Sequence, residues 1–179
     1  MELKQAIEGR RSIRKFLNHP VEREKINACL EAARLAPSAC NSQPWHYIVL
    51  DDPAVKEAFC KQVFNGVYKI SRWAAQAPVL VAVVSDKGSV ISRLGGYLRR
   101  TEFYLVDQGI SGEHFALRAH DLGLGTCWIG WVDSQKASQF FKLPSGKKIE
   151  HLFALGYPAE NPAPRPRAKL EEIVSYNKF

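Results

Sequence analysis

Apolar residues recur along the chain at helical spacing and at strand spacing, and the two patterns alternate. A helix is predicted between Pro20 and Pro37, because four apolar residues there stand at positions i, i+3, i+4 and i+7. Those residues are Ile26, Cys29, Leu30 and Ala33. The same reasoning predicts further helices over 3–9, 53–61, 101–122 and 134–141, and strands over 46–50, 79–84, 126–132 and 149–156. The alternation predicts an α+β fold.

The strand predicted over 79–84 is an unbroken run of apolar, mostly β-branched residues. Such a run is typical of a strand that is covered on both faces, so we expect it at the centre of the sheet. The longest apolar stretch, Ala77 to Val84, is far shorter than the ~20 residues that a membrane-spanning helix needs. No membrane helix is expected.

A length of 179 residues, 46% of them hydrophobic, predicts one folded domain. After Pro158 the chain becomes proline-rich, and a few apolar residues follow. They are Pro162, Pro164 and Pro166, then Leu170, Ile173 and Val174. We therefore predict a single domain over 1–160 and a basic, proline-rich arm over 161–179. Because the apolar residues of the arm need burial, the arm is expected to cross onto a second subunit.

Positive charge is concentrated at the two ends of the chain. The sequence has 25 Lys and Arg against 18 Asp and Glu, a net charge of +7. Residues 1–25 carry seven cations and four anions, and residues 161–179 carry four and two. This distribution favours an anionic ligand. Nucleic acid is not expected as a partner, because it needs a continuous basic face. A non-enzymatic anion-binding or nucleic-acid-binding module remains the alternative from a different functional class.

The cysteines and histidines indicate neither a disulfide scaffold nor a metal site. The four cysteines form no C-x-x-C pair, and the five histidines show no metal-ligand spacing. The chain start lacks the pattern of a secretory signal. Free thiols in the cytoplasm are therefore expected, and Cys40 is interpreted as a small packed residue.

Two polar loops could carry chemistry. In the first, Arg10, Ser12 and Arg14 alternate, so they point the same way if the segment is extended, and arginine binds phosphate bidentately. In the second, Asn41 and Gln43 could bind the edge of a flat heterocycle. Each loop taken alone also fits a plainer interpretation: a solvated basic edge for the first, and an ordinary Pro/Ser/Asn turn for the second.

Four segments, taken together and in order, resemble the nitroreductase family of FMN-dependent oxidoreductases. They are Arg10–Arg14 (R-R-S-x-R), Pro37–Trp45 (P-S-x-x-N-x-Q-P-W), Gly123–Gly130, and Gly156–Pro158 followed by Arg165 and Arg167. The resemblance implies an α+β fold with a mixed central β-sheet flanked by helices. It also implies a homodimer, with FMN at the subunit interface and a C-terminal arm exchanged between subunits.

The resemblance further implies roles for individual residues. Cofactor-binding residues would be Arg10, Arg11, Ser12, Arg14, Pro37, Ser38, Asn41, Trp128, Ile129, Gly130, Arg165 and Arg167. Within this set, Arg10 and Ser12 would bind the phosphate and ribityl chain, and Arg14 would lie near N1 and O2 of the flavin. Arg165 and Arg167 would bind the phosphate. Pro37, Ser38 and Asn41 would reach the flavin of the partner subunit. The backbone near Gly130 would face N5, so no catalytic side chain and no metal are expected.

The implied activity is electron transfer from NAD(P)H to a nitroaromatic, a quinone or a similar acceptor by a ping-pong scheme. A specialised flavoenzyme of the same fold, either a reductive dehalogenase or a flavin-fragmenting enzyme, is the alternative within the family. Segments 62–75 and 87–104 are expected to set acceptor specificity. Their aromatic residues include Phe64, Tyr68, Trp73, Tyr97 and Tyr104.

Overall fold

A four-stranded sheet lies at the centre of the molecule, in a computed structural model that describes residues 1–86 and 101–179. Its strands are β1 (Trp45–Leu50), β2 (Val79–Ser85), β3 (Gly125–Ile129) and β4 (Lys148–Gly156), in the spatial order β1-β2-β4-β3. All residues of β2 are buried, which confirms the predicted central strand. Tyr97 and the rest of 87–100 lie outside the described residues.

Helices cover the sheet and connect its strands. They are α1 (Leu3–Gly9), α2 (Arg23–Arg34), α3 (Pro53–Val63), α4 (Phe103–Asp121), α5 (Ser134–Phe140) and α6 (Leu170–Ile173), with a 3₁₀ segment over Gly66–Gln76. The predicted start of α5 is confirmed, because the side chain of Asp133 accepts a hydrogen bond from the backbone N–H of Lys136. No helix in the described part of the chain is long and apolar enough to span a membrane.

The sheet separates two hydrophobic clusters. On one face, α2 and α4 pack against β2 and β4, with Ile26, Phe115 and Phe153 fully buried. On the other face lie α3, the 3₁₀ segment and α5, with Phe59 and Leu152 fully buried. The α+β class is therefore confirmed, with the core on both sides of the sheet.

Strand pairing among the described residues is antiparallel in all three neighbouring pairs. Two helical segments, α3 and the 3₁₀ segment, separate β1 from β2 in the sequence. In the antiparallel register, Leu50 at the end of β1 pairs with Leu80, the second residue of β2. The mixed pairing implied by the family resemblance is limited here to one isolated parallel bridge, between Ser12 and Thr126. That bridge places the basic N-terminal segment beside β3.

The C-terminal arm is exposed along nearly its whole length. Within 161–179, only Pro162 is partly buried. The short helix α6 holds Leu170 and Ile173, which are 67% and 68% exposed. The arm therefore has almost no apolar contact with the domain of its own chain. No partner subunit is present, so exchange of the arm between subunits stays a prediction.

Candidate functional site

The basic segment over 10–16 begins where α1 ends and then runs beside β3. The backbone N–H of Arg10 caps α1 by donating to Ala6 O at 3.1 Å. The N–H of Ile13 donates to Thr126 O at 2.9 Å, and the buried Ile13 side chain packs against Gly125. With Ile13 turned into the core, the residues on either side of it point the other way.

Arg10, Ser12 and Arg14 all influence the pKa of one buried thiol, that of Cys127 on β3. Burial raises the pKa of Cys127, while the charge of Arg14, a hydrogen bond from Ser12 and the charge of Arg10 oppose the rise. The backbone geometry agrees at Ser12, which forms a parallel bridge with Thr126, the neighbour of Cys127 on β3. The net rise keeps the thiol protonated at neutral pH, so Cys127 does not supply a thiolate.

The two neighbouring arginines differ in their contacts. Arg10 is partly buried, and its Nε lies 3.2 Å from Glu113 Oε1 on α4. Arg11 donates to Glu8 O at 2.6 Å and to Arg10 O at 2.9 Å, so it stabilises the end of α1. Its Nε is buried and has no hydrogen-bond partner among the described residues. Arg11 therefore mainly stabilises the local structure, and its Nε–H group is still available to donate a hydrogen bond.

A cavity of about 250 Å³ lies beside these arginines. Arg10, Arg11, His120 and Thr126 are among its lining residues. Burial lowers the pKa of His120, and the positive charges of Arg10 and Arg11 lower it further. The charges of Arg10 and Arg11 therefore reach the cavity, whose lining also includes the carboxylate of Glu160.

Arg14 connects the segment to two other parts of the chain. Its guanidinium lies over the ring of Trp73, 5.8 Å from the ring centroid, within the range of a cation–π interaction. Its backbone N–H donates to Glu160 Oε1 at 2.6 Å. The 62–75 region, which the resemblance left without assigned cofactor contacts, therefore reaches the basic segment through Trp73. Glu160 is a contact that the sequence did not predict.

The second predicted loop folds into a tight turn. Residues Ala39–Asn41 form one turn of 3₁₀ helix, and Cys40, Asn41 and Gln43 have positive φ of 53°, 51° and 46°. Non-glycine residues rarely occupy this region, because their Cβ crowds the backbone. The Ser38 hydroxyl accepts a hydrogen bond from the backbone N–H of Gln43 at 2.9 Å. Pro37 and Asn41 are exposed.

Two buried polar residues on α4 hold this loop at both ends. Asp107 Oδ1 accepts from the N–H of Ala39 at 3.0 Å, and Gln108 Nε2 donates to Pro44 O at 3.1 Å. Asp107 is 3% exposed and Gln108 is 1% exposed. Sequence reasoning missed both, although two adjacent polar residues inside an otherwise apolar helical pattern are a signal that could have found them.

Cys40 is exposed, so its interpretation as a small packed residue is wrong. Its left-handed conformation turns the loop outward, and the loop's anchoring atoms belong to Ser38, Ala39 and Pro44. The other three cysteines are buried, and all four are free thiols.

The end of β3 presents backbone rather than side chains. The Trp128 ring packs beside Gly112 of α4, stacks on His151 of β4 at 4.6 Å between centroids and meets Phe153, also on β4, edge-on at 4.5 Å. Ile129 is buried. Gly130 is exposed, and a Cβ built on it would meet no atom within 4 Å. At this point a ligand can approach the main chain closely.

Comparison with known proteins gives a consistent result over most of the chain. The nitroreductase family model matches residues 7–157. This chain belongs to the nitroreductase family. It is 32% identical over 169 residues to a putative NADH dehydrogenase/NAD(P)H nitroreductase of Methanothermobacter thermautotrophicus, covering 92% of this chain and 82% of the relative. An FMN reductase (NADPH) of Bacillus subtilis is 24% identical over 185 residues, covering 98% of this chain and 73% of the relative.

A solved structure shares the architecture. The crystal structure of a nitroreductase family protein from Clostridium novyi NT superposes with a TM-score of 0.75 at 29% identity, over 89% of this chain and 87% of that one. The nitroreductase fold and an oxidoreductase function are thus common to this chain and its family.

Not all residues implied by the family resemblance come together within one chain. Arg10, Ser12 and Arg14 lie along β3, the strand that leads to Gly130. The loop with Pro37, Ser38 and Asn41 is instead anchored on α4, and Arg165 and Arg167 lie on the exposed arm. A single chain therefore assembles only part of the implied site.

Proposed function

We propose that this nitroreductase-family protein binds FMN and transfers electrons from NAD(P)H to an electron-poor small molecule, such as a nitroaromatic or a quinone. The supporting observation is the course of the basic segment along β3: Ser12 bridges Thr126, Arg10 and Arg11 line the cavity beside it, and the end of the same strand exposes the Gly130 backbone. A cavity lined by arginines and an accessible main chain along the same strand suit a ligand with an anionic tail and a flat ring.

The donor set fits the phosphate of FMN. A phosphomonoester carries about −1.5 to −2 charges at neutral pH and three strong acceptor oxygens. Arg10 and Arg11, with its unpartnered Nε, line the cavity and are donors of the required kind, and the Ser12 hydroxyl follows them in the chain. A buried, unpartnered guanidinium nitrogen is costly to leave unpaired, so an anion at this place would relieve that cost.

The residues of this chain then have separate tasks. FMN, when bound, supplies the hydride and electron chemistry. Arg10 and Ser12 hold the anionic end, and Arg14, fixed by Trp73 and Glu160, presents a permanent cation beside the ring. The exposed Gly130 backbone leaves room for an N–H to donate to the ligand. Electrons would enter and leave in two successive half-reactions, with donor and acceptor using the same face.

A homodimer completes the proposed site. The loop with Pro37, Ser38 and Asn41 faces away from its anchors on α4, and the arm exposes Leu170 and Ile173. Apolar side chains that are two-thirds exposed in one chain gain free energy when a second copy covers them. We place the FMN at the interface, with this loop contributed by the partner subunit and the arm crossing over it.

The experiment that tests this proposal is the visible spectrum of the purified protein, followed by steady-state turnover. We expect flavin absorption, with FMN released on denaturation, and oxidation of NADH or NADPH that depends on an added nitroaromatic or quinone. Protein that takes up no FMN when it is supplied would refute the proposal. A salt-dependent gel shift by flavin-free protein would instead support the nucleic-acid-binding alternative.

A further inference from the structure

Glu160 is the last residue before the proline-rich arm, and its carboxylate binds the backbone of the basic segment. Oε1 accepts hydrogen bonds from the N–H groups of Arg14 at 2.6 Å and Lys15 at 3.1 Å. The segment has left β3 at this point, since the N–H of Ile13 makes the bond to Thr126. A carboxylate is a stronger acceptor than a neutral carbonyl, so Glu160 fixes the backbone from which the Arg14 side chain projects.

Neighbouring contacts extend this attachment into a short ladder. The N–H of Ala159 donates to Lys15 O at 2.9 Å, and Phe16 forms an antiparallel bridge with Pro158. The two stretches, 14–17 and 157–160, are therefore held in one register. As a result, the point where the arm leaves the domain lies directly beside Arg14.

The composition of the arm makes its starting direction important. Pro162, Pro164 and Pro166 favour an extended, semi-rigid chain that rises about 3.1 Å per residue. Arg165 would then lie about 15 Å from Glu160 along the arm. In a semi-rigid arm, the residue that sets the orientation of position 160 also sets where Arg165 and Arg167 point.

We propose that Glu160 is a positioning residue that couples the Arg14 segment to the arm, so that cations from both ends of the chain converge on one bound FMN. This inference rests on the proposed function. The negative charge of Glu160 repels an anionic ligand, so the charge itself does not favour FMN binding. The contribution of Glu160 is therefore the geometry that its hydrogen bonds impose.

The first test is an FMN titration of the flavin-free protein, read by the change in flavin fluorescence. Glu160→Ala removes both hydrogen bonds and should raise the Kd of FMN at least about tenfold. Glu160→Gln keeps an amide oxygen that can accept both N–H groups, and should stay within about threefold of wild type. Glu57→Ala, which removes an exposed carboxylate paired with Lys61 on α3, is the matched control and should change nothing.

The second test is a double-mutant cycle with Arg165→Ala. If Glu160 orients the arm, Arg165→Ala weakens FMN binding several-fold in wild type but has little further effect in Glu160→Ala. Residues this far apart otherwise give additive losses. Additive losses in FMN affinity, or an unchanged Kd in Glu160→Ala, would overturn the inference about Glu160. The proposed function would still stand in that case, provided that the wild-type protein binds FMN. Wild-type protein that binds no FMN would overturn both.

A more conservative variant keeps the inference testable if Glu160→Ala does not fold. Glu160→Asp retains the charge but draws the carboxylate back by one methylene group, which lengthens both hydrogen bonds. It should raise the Kd in the same direction, with a smaller effect than Glu160→Ala. Thermal unfolding of each flavin-free variant reports folding separately from binding. An Asp variant that folds and binds as wild type does would contradict the inference.

Discussion

Two glycines on α4 stand three residues apart and should respond oppositely to the same substitution. A Cβ on Gly112 would lie 2.6 Å from Cζ2 of Trp128, closer still to its Cη2, and 2.9 Å from Cζ of Phe153. A Cβ on Gly109 would meet nothing within 4 Å. Replacing glycine by alanine inside a helix normally stabilises it by about 1 kcal/mol, because alanine restricts the unfolded chain and favours helix. Gly109→Ala should show that gain.

Gly112→Ala should instead lower the free energy of unfolding. Overpacking a filled core costs about 1–3 kcal/mol, which exceeds or offsets the helical gain, so we expect a net loss of up to about 2 kcal/mol. The Trp128 ring cannot retreat freely, because it is stacked on His151 and meets Phe153. Urea unfolding at one protein concentration measures both variants, with tryptophan fluorescence as the signal. Gly112→Ala as stable as Gly109→Ala would refute the packing argument.

Three further predictions concern binding, pH and assembly. Arg10→Ala should weaken FMN binding by about 1.5–3 kcal/mol, since it removes a charged donor; Lys4→Ala, an exposed cation on α1, should leave equilibrium dialysis unchanged. Burial lowers the pKa of His151 from 6.5 to about 4, so unfolding takes up a proton as the pH falls below 6.5. The stability advantage of wild type over His151→Gln should shrink by about 2 kcal/mol between pH 7.5 and pH 5; parallel urea-midpoint profiles would contradict this. Truncation after Glu160 should yield monomers by sedimentation, and an intact dimer would show that the arm is dispensable for assembly.

The fold was predictable where a periodic pattern coincides with burial. The stripe from Ile26 to Ala33 gave α2, and the apolar run over 79–84 gave the central strand, because both patterns follow from the face that the core covers. The pattern failed at the end of β3, predicted to reach residue 132 but ending at Ile129. There Trp131 leaves the sheet, and its Nε1 donates to Val67 O at 2.9 Å. Because Trp131 and Val67 are far apart in the sequence, no local sequence pattern predicts their hydrogen bond.

The site was predictable in the same limited sense. Alternation predicts that Arg10, Ser12 and Arg14 share one face, because that argument depends only on an extended backbone. Their partners came from elsewhere in the sequence and were missed. Glu160, an acid among cations, had no role in an argument based on anion binding, yet it bonds the segment's backbone. Local sequence thus indicates candidate ligand-binding side chains more readily than the side chains that hold them in place.

The loop before β1 illustrates why the supporting residues matter. Cys40, Asn41 and Gln43 occupy left-handed conformations that cost of order 1–3 kcal/mol each, and such strain persists only where surrounding structure imposes it. Asp107 and Gln108 impose it from inside α4, at the further cost of burying polar side chains. A chain that needed only a connection between α2 and β1 would gain from a relaxed turn. The strained turn is consistent with the proposed role of this loop, because it presents the exposed Asn41 side chain and backbone outward.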